Sequence, residues 1–445
     1  MARSATVVGA GLAGSEAAWQ IARRGIPVRL YEMRPVTQTA VHRTGQMAEL
    51  VCSNSLKSLE LSTAHGLLKE EMHRLGSLIL GCALEHRVPA GGALAVDRDR
   101  FAEAVTDAVE REPLIDVIRE EVPDIPRDDV VILAVGPLVS TSLAASIAEF
   151  TGQDYLYFFD AIAPVVLAES IDRSVVFAAS RYGKGGDDYL NCPMNEEEYQ
   201  RFIDALLGAE MAPMHDIDET PYFDGCLPIE EMARRGRDTP RFGPMKPVGL
   251  TDPRSGTRPW AAVQLRQDNL AAEHYSMVGF QTQLRWPEQK RVLRMIPGLE
   301  SAEFVRLGQV HRNCYINAPS VLGDDLQARR REGLFFAGQI SGVEGYTESA
   351  ATGLLCGINA ARLICGERTL ALPIETMLGA LCHYISHTEA DGYQPTNAAF
   401  GLLPPPPKGV RRKRDRRLAR SKRALEALDA WIAAHDQRAV PETAP

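Results

Sequence analysis

Ala5-Thr6-Val7-Val8-Gly9-Ala10-Gly11-Leu12-Ala13-Gly14, followed eighteen residues later by Tyr31-Glu32, decides how the rest of the chain is read. Thr6 to Val8 have the β-branched, apolar character of a short buried strand. Gly9, Gly11 and Gly14 then fall at G-x-G-x-x-G spacing, and Ser15 to Gly25 carries Ala18, Ile21 and Ala22 at helical intervals. Pro27 to Tyr31 reads as a second strand, ending in Glu32. Each part has a mechanical task. Gly9 permits a tight turn, Gly11 lets the backbone approach a pyrophosphate, and Gly14 lets the helix pack against the strand. The helix N-terminus stabilises the phosphate charge, and Glu32 accepts hydrogen bonds from a ribose. The pattern predicts an α/β fold of the Rossmann type that binds a dinucleotide through Gly9, Ala10, Gly11, Leu12, Ala13, Gly14 and Glu32.

A second glycine-rich strand-to-helix passage appears near the other end. Leu334 to Ala337 read as a strand, Gly338-Gln339-Ile340-Ser341-Gly342-Val343-Glu344-Gly345 as a turn, and Glu348 to Leu355 as a helix of small residues. Small side chains let such a helix approach a cofactor, and its N-terminus offers unpaired N–H groups to a carbonyl or a developing anion. In a flavoenzyme the pyrimidine edge of the flavin ring would rest there, with Gly338, Gln339, Tyr346 and Glu348 as cofactor contacts. Only one G-x-G-x-x-G is present, so a nicotinamide would meet a composite surface rather than a second nucleotide domain.

Between these passages, Asp97 to Glu110 reads as a helix and Asp129 to Pro137 as a buried strand running into a turn. From about Ser140 to Arg306 the pattern shifts to longer loops richer in Pro and Gly. The expected organisation is a dinucleotide domain in two parts, 1–140 and 306–403, with an inserted α/β domain at 141–305. Residues 404–445 form a proline spacer and a basic helix.

Composition narrows the class. With 45% hydrophobic and 24% charged residues the chain is an ordinary globular protein. Its apolar runs fall short of the ~18 residues a membrane span needs, and no signal peptide is visible, so a cytoplasmic location with no membrane partner is expected. The eight cysteines form no C-x-x-C pair and no zinc-spaced cluster, so neither a metal site nor a disulfide framework is expected. The net charge of −9 is uneven: Lys408 to Arg423 holds ten Lys/Arg against Asp415, +9 in sixteen residues, leaving −18 elsewhere. A basic tail on an acidic body points to a polyanion, with nucleic acid the leading candidate. Leu418, Leu425, Leu428 and Ile432 lie on one stripe of the tail helix with Trp431 beside it. Its second half is therefore expected to dock while its first half exposes Arg411, Arg412, Lys413, Arg414, Arg416 and Arg417.

Beyond the opening motif, Met47 to Ser58 (MAELVCSNSLKS), Gly225 to Ile229 (GCLPI), Gly243 to Leu250 (GPMKPVGL), Ala262 to Asn269 (AVQLRQDN), Gly338 to Gly353 and Gln394 to Leu403 (QPTNAAFGLL) are distinctive. With them the chain resembles the bacterial folate- and flavin-dependent tRNA (uracil-5-)-methyltransferases, from the N-terminus to about Pro404. The resemblance implies a flavin domain of the glutathione-reductase type carrying an inserted domain. It implies methylation of a T-loop uridine in tRNA, with methylenetetrahydrofolate as carbon donor, FAD as reductant, and NADH or NADPH to regenerate it. It also implies catalytic roles for Cys52 and Cys226. The chemistry needs such groups, because uracil C5 is a poor nucleophile until a thiolate adds at C6, and a base must then remove the C5 proton. Which cysteine does which is open from the sequence.

Lys57 is placed to favour a thiolate at Cys52, while Ser53, Asn54 and Ser55 can bond a base or a ring edge. The other six cysteines read as structural, with Cys356 and Cys365 in the core. His311-Arg312-Asn313 is a candidate for orienting folate or flavin, though a structural histidine serves equally. Lys246 and Arg266 are candidates for a folate glutamate or a nicotinamide phosphate, or for surface ion pairs. Two other functions fit the opening motif: a flavin oxidoreductase acting on a small metabolite, and a non-catalytic flavin-bound RNA-binding protein.

Overall fold

The computed structural model describes residues 4–39, 41–153, 156–213, 227–406 and 409–435; for 158–160 and 310–312 only the backbone is described. The expected strand–turn–helix–strand is present. Ala5–Val8 is a strand buried along its whole length, and Leu12–Ala22 is the opening helix. Val28–Tyr31 pairs beside the first strand in parallel, with Val8 opposite Tyr31. Five parallel strands form this sheet, in the order Leu334–Phe336, Val131–Leu133, Ala5–Val8, Val28–Tyr31, Ile115–Ile118. The first strand is central, and the chain leaves it to one side and later returns on the other. Such a reversal opens a crevice beyond the carboxyl ends of the strands, where open α/β sheets bind ligands. The helix expected at 97–110 runs from Arg98 to Arg111, with Asp97 accepting the Arg100 N–H as its cap.

A second layer has its own sheet of six strands, Phe177–Ala178, Tyr189–Met194, Ala261–Gln267, His274–Met277, Val165–Leu167 and Phe304–Arg306 in spatial order, all antiparallel. Its core gathers Phe202, Ile203, Val263 and Phe280. An antiparallel pair, Leu156–Ala161 with Val310–Tyr315, carries the chain out and back between the two layers. The helix Thr141–Thr151, inside the span expected for the insertion, sends Leu143 and Ile147 into the first core instead.

The long inner helix, Tyr346–Ile364, crosses the opening helix at very close range. A Cβ on Gly353 would lie 2.1 Å from the Ala13 carbonyl oxygen, and one on Gly357 would lie 2.6 Å from that of Ala17. Gly353 and Gly357 therefore serve this helix–helix crossing, while Tyr346 and Ser349 in its first turn line the crevice. The tail helix, Lys413–His435, docks by its second half as expected, burying Leu425, Leu428 and Trp431. Leu418 departs from the expected stripe and is 39% exposed. Arg420 and Arg423 are drawn into docking, donating to the carbonyls of Phe400, Pro404 and Pro405.

Candidate active site

A cavity of about 370 Å³ lies at the carboxyl ends of the parallel strands. Gly9, Gly11, Leu12, Ala13 and Glu32 line one end; Gly338, Gln339, Gly345, Tyr346 and Ser349 line the other, together with Cys52 and Lys57. At the first end, a Cβ on Gly14 would stand 1.7 Å from the Gly9 carbonyl oxygen, whereas one on Gly11 would meet nothing within 4 Å. Gly14 thus closes the helix onto the strand, and Gly11 leaves an empty cradle. The opening helix begins at Gly11 with no side-chain cap, so its first N–H groups face that cradle. A pyrophosphate fits both the space and the uncapped donors. Glu32 accepts the Ala10 N–H at 3.0 Å and is gripped by Arg34 at 2.9 Å. Burial alone would raise its carboxyl, but the Arg34 guanidinium holds it below the ordinary carboxylate range. It therefore stands ionised on the wall, as a ribose hydroxyl requires. Ala10 and Gly14 lie just behind the wall.

At the other end the segment Leu50 to Asn54 is fastened at nearly every position. Arg98 donates to the Leu50 carbonyl at 3.0 Å and Arg306 to that of Val51 at 2.8 Å. The Tyr346 hydroxyl accepts the Cys52 N–H at 2.7 Å and the Ser53 N–H at 3.3 Å. Arg266 donates to Ser53 Oγ and Asn54 Oδ1, each at 2.8 Å. Asn54 Nδ2 in turn bonds the carbonyls of Val96 and Gln267. Cys52 stands half-buried on the cavity wall, its Sγ 3.9 Å from the Ala161 carbonyl. Three arginines from three separate segments thus hold one cysteine loop. Burial lowers the Arg266 pKa and brings that of Arg306 down to about 10.

Two expectations change here. Arg266 is a buried support of the cysteine loop, not a surface ion pair. Glu348 is fully buried behind Gly345, off the cavity wall. Its Oε1 accepts the Ala398 N–H at 3.0 Å and lies 3.1 Å from His65 Nδ1 and 4.0 Å from Lys57 Nζ. Burial would raise this carboxyl, but Lys57 and His65 hold it down at about 2. Its Oε2 is buried with no hydrogen-bond partner among the described residues. Lys57 is thereby tied to Glu348 and adopts a left-handed φ of 64°, a conformation that costs a side-chain-bearing residue about 1–2 kcal/mol. Gln339 is on the wall, its amide donating to Glu344 at 2.6 Å. Tyr346 is a wall residue whose hydroxyl is committed to the cysteine loop.

A profile of the family described as Glucose inhibited division protein A matches residues 4–368. The chain belongs to that family. It is 59% identical, over 97% of its own length and 99% of the relative's, to a Desulforudis audaxviator protein named methylenetetrahydrofolate–tRNA-(uracil-5-)-methyltransferase TrmFO. A Symbiobacterium thermophilum protein of the same name is 60% identical over 97% of both chains. These names are those of the group that the sequence motifs resemble. A crystal structure of Aquifex aeolicus GidA superposes with a TM-score of 0.69 over 99% of this chain and 74% of that one, at 16% identity, a likeness of fold.

Within this member of the Glucose inhibited division protein A family, four of the other described cysteines are buried, whereas Cys314 is half-buried like Cys52. Burial pushes the Cys82 thiol up to about 12 and raises those of Cys192, Cys356 and Cys382 further, which leaves them unreactive. Cys365, expected in the core, is exposed at the end of the inner helix. Cys226 lies outside the described residues, as do Lys408 and the side chains of His311 and Arg312. Three residues after Cys226, the Ile229 N–H donates to the carbonyl of Gln281, and Gln281 is a wall residue of the cavity. Asn313 is fully buried, and its side-chain amide has no partner among the described residues. Lys246 is away from the wall, its carbonyl accepting from Arg181. Arg411, Arg412, Lys413, Arg414 and Arg416 are exposed, and Arg417 lies over the Phe400 ring at 5.8 Å. Arg98 and Arg306 have no signature in the sequence, because a lone arginine outside any motif carries no signal of what it will touch.

Proposed function

We propose that the chain methylates C5 of a uridine in the T-loop of tRNA, taking the carbon from methylenetetrahydrofolate. FAD is the redox cofactor, and NADH or NADPH regenerates its reduced form. The observation that carries this reading is the cavity joining the glycine turn to Cys52, in a chain 59% identical to a relative of that name over almost its whole length. The residues suited to the dinucleotide are Gly9, Gly11, Leu12, Ala13 and Glu32, with Gly338, Gln339 and Tyr346 at the ring end. When bound and reduced, the flavin supplies the hydride that turns a methylene into a methyl group.

The chain's own residues supply the rest. Adding a thiolate to uracil C6 makes C5 nucleophilic, and removing the C5 proton then lets the thiolate leave. Cys52 and Cys226 divide these two tasks. The arginine-held loop keeps Cys52 within the narrow range of positions from which it can reach a base, since misplacement of a reacting group by about 1 Å costs on the order of 100-fold. A stacked T-loop base must be extruded to enter the cavity. The exposed cations of the tail helix would bind tRNA phosphates. The enzyme works in the cytoplasm in this reading; among the described residues no helix is long and apolar enough to cross a membrane.

The test is methyl transfer to unmodified tRNA by the flavin-loaded protein with NAD(P)H, given either methylenetetrahydrofolate or S-adenosylmethionine. Ribothymidine is expected with the folate alone. Product from S-adenosylmethionine, or flavin turnover on a small metabolite with no need for tRNA, would overturn the reading.

A further inference from the structure

Off the cavity wall, a second cluster brings together groups that no part of the methyl-transfer chemistry uses. The helix Met377–His387 carries His383 and His387 four residues apart, and hence on one face. Their rings stack at 4.3 Å with 24° between planes. Both turn Nδ1 toward one carboxylate: His383 Nδ1 lies 3.2 Å from Asp324 Oδ2 and His387 Nδ1 lies 2.9 Å from Asp324 Oδ1. One ligand atom from each of the three residues lies within 4.8 Å of the other two.

We propose that Asp324, His383 and His387 bind a divalent transition-metal ion of the zinc type. Two imidazoles and a carboxylate are the nitrogen–oxygen donor set that such ions prefer, and ligand atoms this close can reach one ion at about 2.0–2.2 Å by small rotations. Paired histidines four apart on a helix are a recurrent way of presenting two nitrogens to one metal. The carboxylate is already oriented. Ser386 Oγ donates to Asp324 Oδ1 at 2.8 Å. The neighbouring Asp325 is held by Thr369 at 2.6 Å, and its carbonyl accepts from Asn359. Supporting bonds of this kind fix a ligand's direction before the ion arrives. The ring side chains are about half exposed, which leaves a path for entry and room for water to complete the coordination. The ion would clamp the helix Met377–His387 to the turn Gly323–Gln327, a bracing role with no part in the reaction.

The experiment uses the full-length, flavin-loaded protein stripped with chelator and titrated with Zn²⁺ by calorimetry, with hydrogen exchange measured in parallel. One high-affinity equivalent is expected, with slower exchange confined to the helix 377–387 and the turn 323–327. His387→Asn is expected to abolish that equivalent and its protection, and Asp324→Asn to weaken binding at least about tenfold. Retained flavin in each variant shows that it has folded. Unchanged stoichiometry and affinity in both variants, loss of binding on thiol alkylation instead, or no binding by the parent protein would each overturn the proposal.

Discussion

The opening helix and the long inner helix both begin at a glycine beside the same cavity, yet the two starts are built in opposite ways. At Gly11 a side chain would enter open space, and the first N–H groups have no cap. At Gly345 the space is filled by the carboxylate of Glu348, and around that start stand Lys57, His65, Tyr346 and the cysteine loop. The first end offers a ligand uncapped backbone N–H groups and, beside them, the carboxylate of Glu32 held by Arg34. The second holds the Cys52 loop with buried charges from distant segments, each needing a partner in a medium of low dielectric. The first end is shaped mainly by what its glycines leave out, the second by side chains that distant segments support.

Removing a reacting group should have the largest effect. Cys52→Ala and Cys226→Ala are each expected to lower ribothymidine formation at least about 100-fold while leaving flavin absorbance and thermal unfolding close to those of the parent. Full turnover in either variant removes that cysteine from the mechanism. The glycines test the backbone-built end. Gly14→Ala and Gly353→Ala place a methyl within 1.7 and 2.1 Å of a carbonyl oxygen. Each should lower stability by about 1–3 kcal/mol, read as a lower unfolding midpoint. Gly11→Ala should keep the parent's midpoint and lose flavin affinity by about tenfold or more. Equal losses of stability in all three variants would erase the distinction between a packing glycine and a cradle.

Support of the reacting end comes next. Arg266→Lys cannot bond Ser53 and Asn54 in the same forked geometry, so kcat should fall about tenfold with flavin affinity unchanged. A change in flavin affinity alone would move Arg266 to the binding end. Glu348 gives a pH signature. Its folded-state pKa is depressed from 4.5 to about 2, so its stabilisation is complete above pH 4.5 and is lost as the pH falls towards 2. Glu348→Gln should flatten the stability profile across that window and lower the midpoint at neutral pH, where Lys57 loses its counter-charge. A profile as steep as the parent's would show that another carboxylate carries the acid response. The smallest effect per residue belongs to the tail. Replacing Arg411, Arg412, Arg414 and Arg416 by Gln should weaken tRNA binding several-fold and reduce the slope of log affinity against log salt by about 0.7–0.9 for each phosphate no longer neutralised. An unchanged slope would exclude these cations from the tRNA interface.

The two ends also differ in how far the sequence reveals them. The dinucleotide fold was legible because strand, turn, helix and acid are contiguous, and G-x-G-x-x-G states a backbone requirement directly in residue types. The docking of the tail was legible from its stripe, apart from Leu418, whose place on the helix did not decide its neighbours. Cys52 stood out only with the resemblance that its surrounding segment carries. Of the supports of its loop, Arg266 stood out for a different task, and Arg98 and Arg306 did not stand out at all. Arg98, Arg266 and Arg306 are separated in sequence by far more than any local period and meet because two strands of the inserted sheet, ending near Arg266 and Arg306, and the start of the helix Arg98–Arg111 all reach residues 50–54. Asp324, His383 and His387 escaped for the same reason: spacing reveals the pair on one helix, and only folding adds the third group.

By itself, then, the sequence determined the features that local geometry sets: the parallel nucleotide fold, the phosphate turn, the basic face of the tail and, through its motifs, the family. The tertiary structure decided which cysteine is supported and which are buried and inert, that Glu348 stands behind the wall as a counter-charge, and that Gly353 and Gly357 of the inner helix serve its crossing with the opening helix. The physical reason is range. Backbone turns and helical stripes are specified over a few residues, whereas burial and charge pairing depend on every segment that arrives at the same place.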